Sequence, residues 1–485
     1  MTDAYRPSIV GAPSSFIETS NFGLRLGGRD ATLFPMNPAI PKRARPAIPV
    51  LLLCAAALAQ SIPQQNTIDP QLRSTIDSIR AFDNHAHPVL PPPNDATDRN
   101  FDALAVDNMA PDTDPVAWRP DNPQLSAAWA ALWGLHASAP LDAKGMLALQ
   151  SARARAKTLE GSHYSVWVLD QAGIGVMLAN RIALGPGVQP PRFRWVPYVD
   201  ALLFPLDNSG LAAENPDRAQ LFPLEDKLRA AYLDAVGLSA IPSTLDDYLA
   251  KVVTPTLVRQ RKQGAVAEKF EVAYLRSLDF ANPTRDQAAK VYAKWAAGGR
   301  PDPAAYKLLQ DFLFRAIARQ CGRLGMAVHI HDIAGAGRYY DIAGSNPLLL
   351  EPVFDDPSLQ DTRFVLLHGG WPFVREAGAL LQKPNVYLDL SQQTLSFPAR
   401  TLATWLREWL ETYPDKILFG TDGYPYSDSM GWEESTWIAS HNGREALGIA
   451  LTGMLRDDEL SRARANAIAT EVLRTTAEHL YASQQ

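Results

Sequence analysis

The chain has 485 residues, of which 46% are hydrophobic and 20% are charged, and its formal net charge is -6 at pH 7. This composition is typical of a soluble globular protein with a large apolar core. The acidic balance, without any block of like charges, excludes the basic surface that binding to nucleic acid requires.

The first recognisable pattern follows Met36. Three basic residues precede an apolar run over 47–59, which ends in a small-x-small cleavage sequence before Gln60. This order is typical of a secretory signal peptide over 36–59, and the run is too short for a membrane span, which takes about 20 residues. An uncleaved interfacial anchor is the alternative. We therefore predict an exported, periplasmic or secreted protein without a membrane span, and we interpret residues 1–35 as a non-native extension from a misplaced start codon.

Eight short apolar runs recur along the rest of the chain and alternate with helical stretches. Such alternation predicts an α/β protein with a parallel sheet, and eight units predict a (β/α)8 barrel of the TIM type. The predicted helices of the later units cover 304–324, 401–413 and 457–480. The predicted strands cover 79–84, 175–180, 195–203, 265–270, 327–331, 363–368, 385–390 and 417–421.

The gaps after the first and third predicted strands are too long for one crossover helix. The first gap contains Pro-rich segments (89–93 and 110–123), and the second contains a helical stretch over 222–253. Loops that follow barrel strands gather at the C-terminal mouth of the barrel. We therefore predict large helical loop insertions after strands 1 and 3 that act as lids on one barrel domain over 68–482.

The strongest local signal is the sequence FDNHAH at 82–87. Its two histidines are two residues apart on a strand, so both imidazoles point to the same side. Neutral imidazole is the usual protein ligand for zinc-type metals. Because strand ends in a barrel converge on one site, the clustering of histidines there predicts a metal centre. Five of the nine histidines end predicted strands, namely His85, His87, His329, His331 and His368.

Two other strand-end residues are candidates. Asp422, in the sequence LFGTDGYP, ends the eighth strand. An aspartate before a glycine is most often a turn residue, but beside the histidines we interpret it as a metal ligand. Lys269 ends the fourth strand. It is a substrate contact, a salt-bridged wall residue or, if carboxylated, a bridge between two metals.

With these residues the chain resembles the amidohydrolase superfamily. Within it, the chain is similar to the amidohydrolase-related branch, which includes the aminocarboxymuconate-semialdehyde decarboxylases and the amidohydrolase half of nodulin/glutamine-synthetase fusion proteins. The resemblance covers about 68–480 and includes the GWP after His368 and the SQQ after the seventh strand. It implies a metal-dependent hydrolase with one or two divalent ions, and Zn²⁺ is the expected metal.

The resemblance implies a role for each strand-end residue. His368 is expected to act as a general acid/base, and Asp422 to help to activate a water molecule. In binuclear members a carboxylated lysine bridges the two metals, and Lys269 occupies its place. The metal ligands that the resemblance implies are His85, His87, His331 and Asp422.

Two groups of residues complete the predicted site. Asp83 is expected to orient the imidazoles of the ligands. The relatives usually lack a histidine at the position of His329. We interpret His329 as a buried, hydrogen-bonded residue behind the ligands. The strand-end and rim residues that we predict to contact a small-molecule substrate are Arg276, Trp371, Tyr424 and Ser391.

The implied reaction is an attack of metal-activated water on an amide, ester or lactone, since bound zinc lowers the pKa of water to about 7. A decarboxylase or a uronate-isomerase-like enzyme on the same site is the alternative, which product analysis would distinguish. A non-catalytic binding barrel is a third, remote reading. The sequence does not decide the oligomeric state, and a homo-oligomer is left open.

Overall fold

The computed structural model of this chain describes residues 67–104 and 115–482. The predicted extension (1–35) and the predicted signal peptide (36–59) lie outside these residues, so both stay predictions. The export that the signal peptide implies also stays a prediction. Contacts place the described part of the chain in one compact unit, Gln64–Gln485. Among the helices of residues 67–104 and 115–482, none combines the length and the apolar character of a membrane span.

All eight predicted strands are present, and they pair in parallel in chain order. They are β1 (Ala81–Ala86), β2 (Ile174–Asn180), β3 (Phe193–Val196), β4 (Ala267–Phe270), β5 (Ala327–His331), β6 (Phe364–Leu367), β7 (Val386–Asp389) and β8 (Ile417–Leu418). Strands that are covered on both faces have nearly continuous apolar sequences. The sequences of β2 and β6, IGVMLAN and FVLL, show this character.

Backbone hydrogen bonds close the eight strands into a barrel. Between β3 and β4, the amide of Lys269 donates to the carbonyl of Pro197 over 2.8 Å. Between β8 and β1, the amide of Asn84 donates to the carbonyl of Phe419 over 2.9 Å. A closed sheet has no unpaired edge. The predicted (β/α)8 barrel is therefore confirmed.

The alternation of side chains along the strands divides the apolar residues into two layers. Outward-facing residues pack against the helices in one large core. Inward-facing residues such as Val365 and Leu367 pack with Leu480 and Tyr481, which come from the end of the described chain. The N-terminal end of the barrel is thus filled with side chains, and the C-terminal end is left to the polar strand-end residues.

Several helices of the described chain begin at capping residues. The 21-residue helix between β4 and β5, for example, starts with a proline after Asp302, whose carboxylate accepts the amide of Ala305 over 3.0 Å. The helices are α1 (Pro70–Ser78), α2 (Pro123–Trp133), α3 (Ala143–Glu160), α4 (Tyr164–Gln171), α5 (Ser209–Ala212), α6 (Pro216–Ala235), α7 (Leu245–Tyr248), α8 (Thr254–Lys262), α9 (Arg285–Trp295), α10 (Pro303–Arg323), α11 (Glu351–Phe354), α12 (Val374–Ala379), α13 (Gln393–Ser396), α14 (Ala399–Leu410), α15 (Trp432–Arg456), α16 (Arg462–Thr470) and α17 (Thr476–Leu480).

Several predicted bounds differ from the structure for local reasons. The predicted strand 195–203 is too long, because Pro197 has no amide to extend the ladder and a 3₁₀ turn (Asp200–Leu202) follows. The predicted helix 457–480 begins only after Ser461, which caps α16, and a π turn separates α16 from α17. The predicted helical stretch 222–253 is interrupted between α6 and α7. The 25-residue helix α15 was not predicted.

Both predicted insertions are present, with α2–α4 between β1 and β2 and α5–α8 between β3 and β4. Arg181, which follows β2 and is fully buried, holds the start of the first insertion. Its guanidinium donates to both carboxylate oxygens of Asp98 over 2.7 Å and to the carbonyl of Pro88 over 2.6 Å. It also lies 5.9 Å from the ring centre of Phe101. This contact set fixes the loop that leads to Asp102 at the barrel mouth.

Replacing Arg181 with methionine is expected to destabilise the protein. The carboxylate of Asp98 would then be buried without its partner, and removing one partner of a buried ion pair costs about 3–5 kcal/mol. Urea unfolding followed by circular dichroism measures the change. The control is Arg375→Met, because the Arg375–Glu408 pair is exposed and its loss should have no measurable effect. Equal unfolding midpoints for the two variants would contradict the assignment.

Candidate metal centre

The residues that end β1 and follow β8 meet at the C-terminal end of the barrel. The backbone amide of Asp422 donates to the carbonyl of His85 over 2.7 Å, which joins the two segments. His85 Nε2 and His87 Nε2 lie 3.2 and 3.4 Å from the same oxygen of Asp422, Oδ1. The ligand atoms of these three buried residues all lie within 4.8 Å of one another. Two imidazoles and a carboxylate that converge in this way are able to bind a divalent metal.

The surroundings hold His85 and Asp422 in the protonation states that a metal requires. Burial, aided by the nearby Lys269, lowers the pKa of His85 to about 3, so the imidazole is neutral. Burial alone would raise the pKa of Asp422. However, His368 and the hydrogen bonds with His85 and His87 outweigh burial and keep that pKa well below its ordinary value. A neutral imidazole and an ionised carboxylate are the forms that bind metal.

His331, at the end of β5, lies beside the triad but outside its 4.8 Å group. Its ring centre is 4.7 Å from that of His368 and 4.6 Å from that of Tyr274. Its Nε2 is buried and has no hydrogen-bond partner. Buried polar atoms of folded proteins rarely lack a partner. This open nitrogen next to the triad fits a site that is built around a cation.

Lys269, at the end of β4, also points into the centre. Its side chain is buried, and Nζ lies 3.4 Å from His85 Nε2. A positive charge at this distance would repel a divalent cation bound to His85. Lys269 therefore lies next to a ligand atom of the triad, and it makes no salt bridge with the barrel wall in the described structure.

The backbone is strained at three strand-end positions. In the described chain, four residues other than glycine have positive φ, and three of them belong to this site or adjoin it in the chain: His368 (71°), Gln392 (57°), which follows Ser391, and Asp422 (56°). Such conformations cost of order 1–3 kcal/mol each and tend to occur at functional sites. The strain supports the view that these positions are selected for chemistry.

Asp83 is buried at the junction of β1 and β8. Its carboxylate accepts the amide and hydroxyl of Thr421 over 2.9 and 2.5 Å and the amide of His85 over 3.3 Å. Burial raises its pKa to about 8. We expected Asp83 to orient the imidazoles, but these contacts are with the backbone and with a hydroxyl. Asp83 therefore holds together the two chain segments that carry the ligands.

His368 follows β6 and completes the cluster of rings. Its ring centre lies 4.9 Å from that of His85. Burial lowers its pKa well below the ordinary value for histidine. Its Nδ1 lies 2.9 Å from Ser391 Oγ. Ser391, predicted as a substrate contact, is thus bound to His368.

The other predicted substrate contacts have different surroundings. Tyr424 is buried with its ring centre 5.5 Å from that of His87, and Trp371 is 36% exposed at the rim. The guanidinium of Arg276 instead donates to Asp311 over 2.8 Å and to Gln310 over 3.0 Å. With these partners, the guanidinium of Arg276 is engaged in supporting the loop after β4.

His329 points to the inside of the barrel, as His331 does, but lies one layer deeper than the ligand cluster. Its Nε2 lies 2.7 Å from the hydroxyl of Tyr481, in the filled N-terminal end of the barrel. Burial lowers the pKa of His329 well below its ordinary value. His329 is therefore a buried, hydrogen-bonded residue, as its sequence position suggested. Its hydrogen-bond partner is the hydroxyl of Tyr481.

The sequence did not indicate two residues that contact His87. The hydroxyl of Tyr198 lies 3.2 Å from His87 Nδ1, and a carboxylate oxygen of Asp102 lies 3.9 Å from the same nitrogen. Contacts to the second ring nitrogen fix the orientation of a ligating histidine. Tyr198 follows β3, so the strand-end rule would have found it. Asp102 lies in the first insertion, where no sequence pattern marks it.

Comparison with known proteins gives matches at the levels of family and fold. The amidohydrolase family model matches residues 215–481, more than half of the chain. Protein fluG of Emericella nidulans is 31% identical over 139 residues, which is 28% of this chain and 15% of fluG. The chain thus spans only about 15% of the length of this curated relative.

Two solved structures share the fold. A protein of Lactobacillus casei described as a metal-dependent hydrolase has a TM-score of 0.55 at 17% identity, with coverage of 86% of this chain and 98% of that one. Glucuronate isomerase of Caulobacter crescentus has a TM-score of 0.53 at 13% identity, with coverage of 88% and 98%. The matched family segment contains Lys269, His331, His368 and Asp422. This chain belongs to the amidohydrolase family.

Proposed function

We propose that this protein hydrolyses an amide, ester or lactone of a small molecule at a divalent-metal site formed by His85, His87 and Asp422. The observation that carries the proposal is the convergence of both imidazoles on one carboxylate oxygen at the open end of the barrel. His331, with its unpartnered Nε2, is the further ligand that we propose. Zn²⁺ is the metal that we propose, because imidazole nitrogen and carboxylate oxygen are its usual ligands beside cysteine.

The residues around the triad are suited to hydrolysis. A divalent cation bound here would lower the pKa of a coordinated water molecule and polarise a substrate carbonyl. Asp422 is ionised and lies beside His368, so both can accept a proton from an attacking water molecule. His368 then returns a proton to the leaving group, as a general acid/base does. Tyr424 and Trp371 line the approach and contact the substrate in this proposal.

Lys269 is expected to decide the number of bound ions. Carboxylation would convert its amine into an anionic group that binds a second cation beside His85. We expect metal-free protein to bind two zinc ions per chain when bicarbonate is present and one when it is absent. Lys269→Met should bind one ion in both conditions. Titration with zinc, followed by removal of excess metal and elemental analysis, measures this. Wild-type protein that binds one ion in both conditions would leave Lys269 without a bridging role.

The reaction class is tested by the products that the metal-loaded enzyme forms. A panel of aryl esters, N-acyl amino acids, lactones, aromatic carboxylic acids and uronates covers the candidate reactions. Formation of an acid and an alcohol or amine, or opening of a lactone, with no release of carbon dioxide is the expected result. Carbon dioxide release would identify a decarboxylase, and conversion of a uronate to a ketose would identify an isomerase. Either result, without hydrolysis, would overturn the proposal.

A further inference from the structure

We infer that Asp389 and Ser391 hold His368 in one tautomer, with the proton on Nδ1, and thereby leave Nε2 free to accept a proton. The inference rests on the proposed function, in which His368 transfers a proton. Asp389 ends β7 and Ser391 lies two residues beyond it, next to His368 at the end of β6. In this assignment both are positioning residues, and Ser391 changes from a predicted substrate contact to a partner of His368.

The contacts of Ser391 determine where its single hydroxyl proton goes. Ser391 Oγ lies 2.9 Å from His368 Nδ1 and also contacts Asp389 Oδ1 closely. The backbone amide of Ser391 donates to the same carboxylate oxygen over 2.8 Å. An ionised carboxylate only accepts hydrogen bonds, so the hydroxyl donates to Asp389. The oxygen of Ser391 is then an acceptor, and His368 Nδ1 must carry the proton that it accepts.

Asp389 is surrounded by donors, which supports its role as an acceptor. The side-chain amide of Asn84 donates to Asp389 Oδ2 over 2.9 Å, and the backbone amide of His368 approaches Oδ1 at 3.4 Å. Burial raises the pKa of Asp389 to about 6, so the carboxylate is ionised at mildly alkaline pH. The side chain itself is fully buried and does not contact solvent.

A buried hydroxyl fixes the amide of Asn84 in the orientation that this network needs. Tyr481, near the end of the described chain, donates its hydroxyl to Asn84 Oδ1. Because the oxygen of Asn84 is occupied in this way, its nitrogen faces Asp389. His329 Nε2 in turn lies 2.7 Å from the Tyr481 hydroxyl. One chain of hydrogen bonds therefore runs from the closed end of the barrel to His368.

Asp389 and Ser391 lie close to the backbone that follows β8, at Gly420. An added Cβ at Gly420 would lie 2.4 Å from Asp389 Oδ2 and 2.7 Å from Ser391 Cβ, so only glycine fits there. The alternative partner for His368 Nδ1 is Asp422 Oδ2, but their separation of 3.9 Å exceeds a hydrogen bond. Ser391, and not Asp422, is therefore the group that selects the tautomer.

If Ser391 no longer fixes the tautomer of His368, turnover should be affected more than substrate binding. Without Ser391 the proton can move to Nε2, and a ring in that state cannot accept a proton there. We expect Ser391→Ala to lower kcat about 10- to 100-fold, as loss of an outer orienting partner does at metal sites, with little change in KM. The matched control is Thr394→Val, which removes another buried hydroxyl of the same segment. The Thr394 hydroxyl donates to the carbonyl of Gly420 over 3.1 Å.

The direct test is the tautomer of His368, which does not depend on any substrate. Protein labelled with ¹⁵N-histidine gives separate long-range ¹H–¹⁵N signals for protonated and unprotonated ring nitrogens, and His368→Gln assigns the signal. Metal-free and zinc-loaded wild-type protein and Thr394→Val should show His368 protonated at Nδ1 only. Ser391→Ala should show a mixture of tautomers or protonation at Nε2, and Ser391→Thr, which keeps the hydroxyl, should restore the wild-type pattern.

Two results would overturn the inference. One is wild-type protein with His368 protonated at Nε2, and the other is Ser391→Ala with an unchanged tautomer. Failure of the proposed function is a separate outcome. Wild-type protein with the expected tautomer that hydrolyses none of the panel would contradict the proposed reaction and still support the inference.

Discussion

Asp422→Asn is expected to lower kcat/KM by more than about 100-fold, because outer-shell partners of metal ligands alone contribute factors of 10–100. Asparagine keeps the size of the side chain but removes the charge that both His85 and His87 contact through Oδ1. The two imidazoles would then share a cation with a neutral amide. Steady-state kinetics at saturating and limiting zinc separate weaker metal binding from slower chemistry.

The control for this prediction is Asp415→Asn, a change of the same kind at an exposed residue before β8. Its kcat/KM and zinc dependence should match those of the wild type. If Asp422→Asn also retained wild-type kinetics at limiting zinc, the carboxylate would not be part of the metal centre.

His368→Gln is expected to lower kcat about 10²- to 10⁴-fold, the usual contribution of a general acid/base. Its imidazole lies beside His85 and His331, at ring-centre distances of 4.9 and 4.7 Å. Glutamine keeps a polar group of similar reach but cannot transfer a proton. The loss should be larger for an amide or alkyl ester than for an activated aryl ester, because an aryloxide leaves without protonation.

The zinc content of His368→Gln separates catalysis from binding. We expect it to equal that of the wild type, since the proposed ligands are His85, His87, His331 and Asp422, whereas His368 Nδ1 is hydrogen-bonded to Ser391. Loss of zinc together with activity would make His368 a ligand. Wild-type kcat for both substrates would exclude a role in proton transfer.

The barrel and the ligand pair could be predicted because both follow from short-range patterns. The alternation of apolar runs with helical stretches fixed the strand count, and FDNHAH placed two imidazoles on one side of a strand. Strand ends of a barrel meet at one mouth, so residues from β1 and β8 could be joined without knowledge of the loops. His85, His87 and Asp422 came together for this reason.

The rest depends on contacts between distant parts of the chain, which carry no local signal. Arg276 has the sequence position of a substrate contact, yet its guanidinium pairs with Asp311, which lies 35 residues later in helix α10. Asn84 receives a hydrogen bond from Tyr481 across almost the whole described chain. The helix α15 was missed because most of its surface is buried, so it lacks the polar face that marks a surface helix.

The metal centre is tested most directly by elemental analysis of purified wild-type protein and Asp422→Ala. Both proteins are first reconstituted with zinc, and the excess metal is removed. We predict at least one zinc ion per wild-type chain and a variant that folds normally by circular dichroism but retains almost none. Wild-type protein without metal, or a variant that retains the same amount, would contradict the placement of the metal between His85, His87 and Asp422.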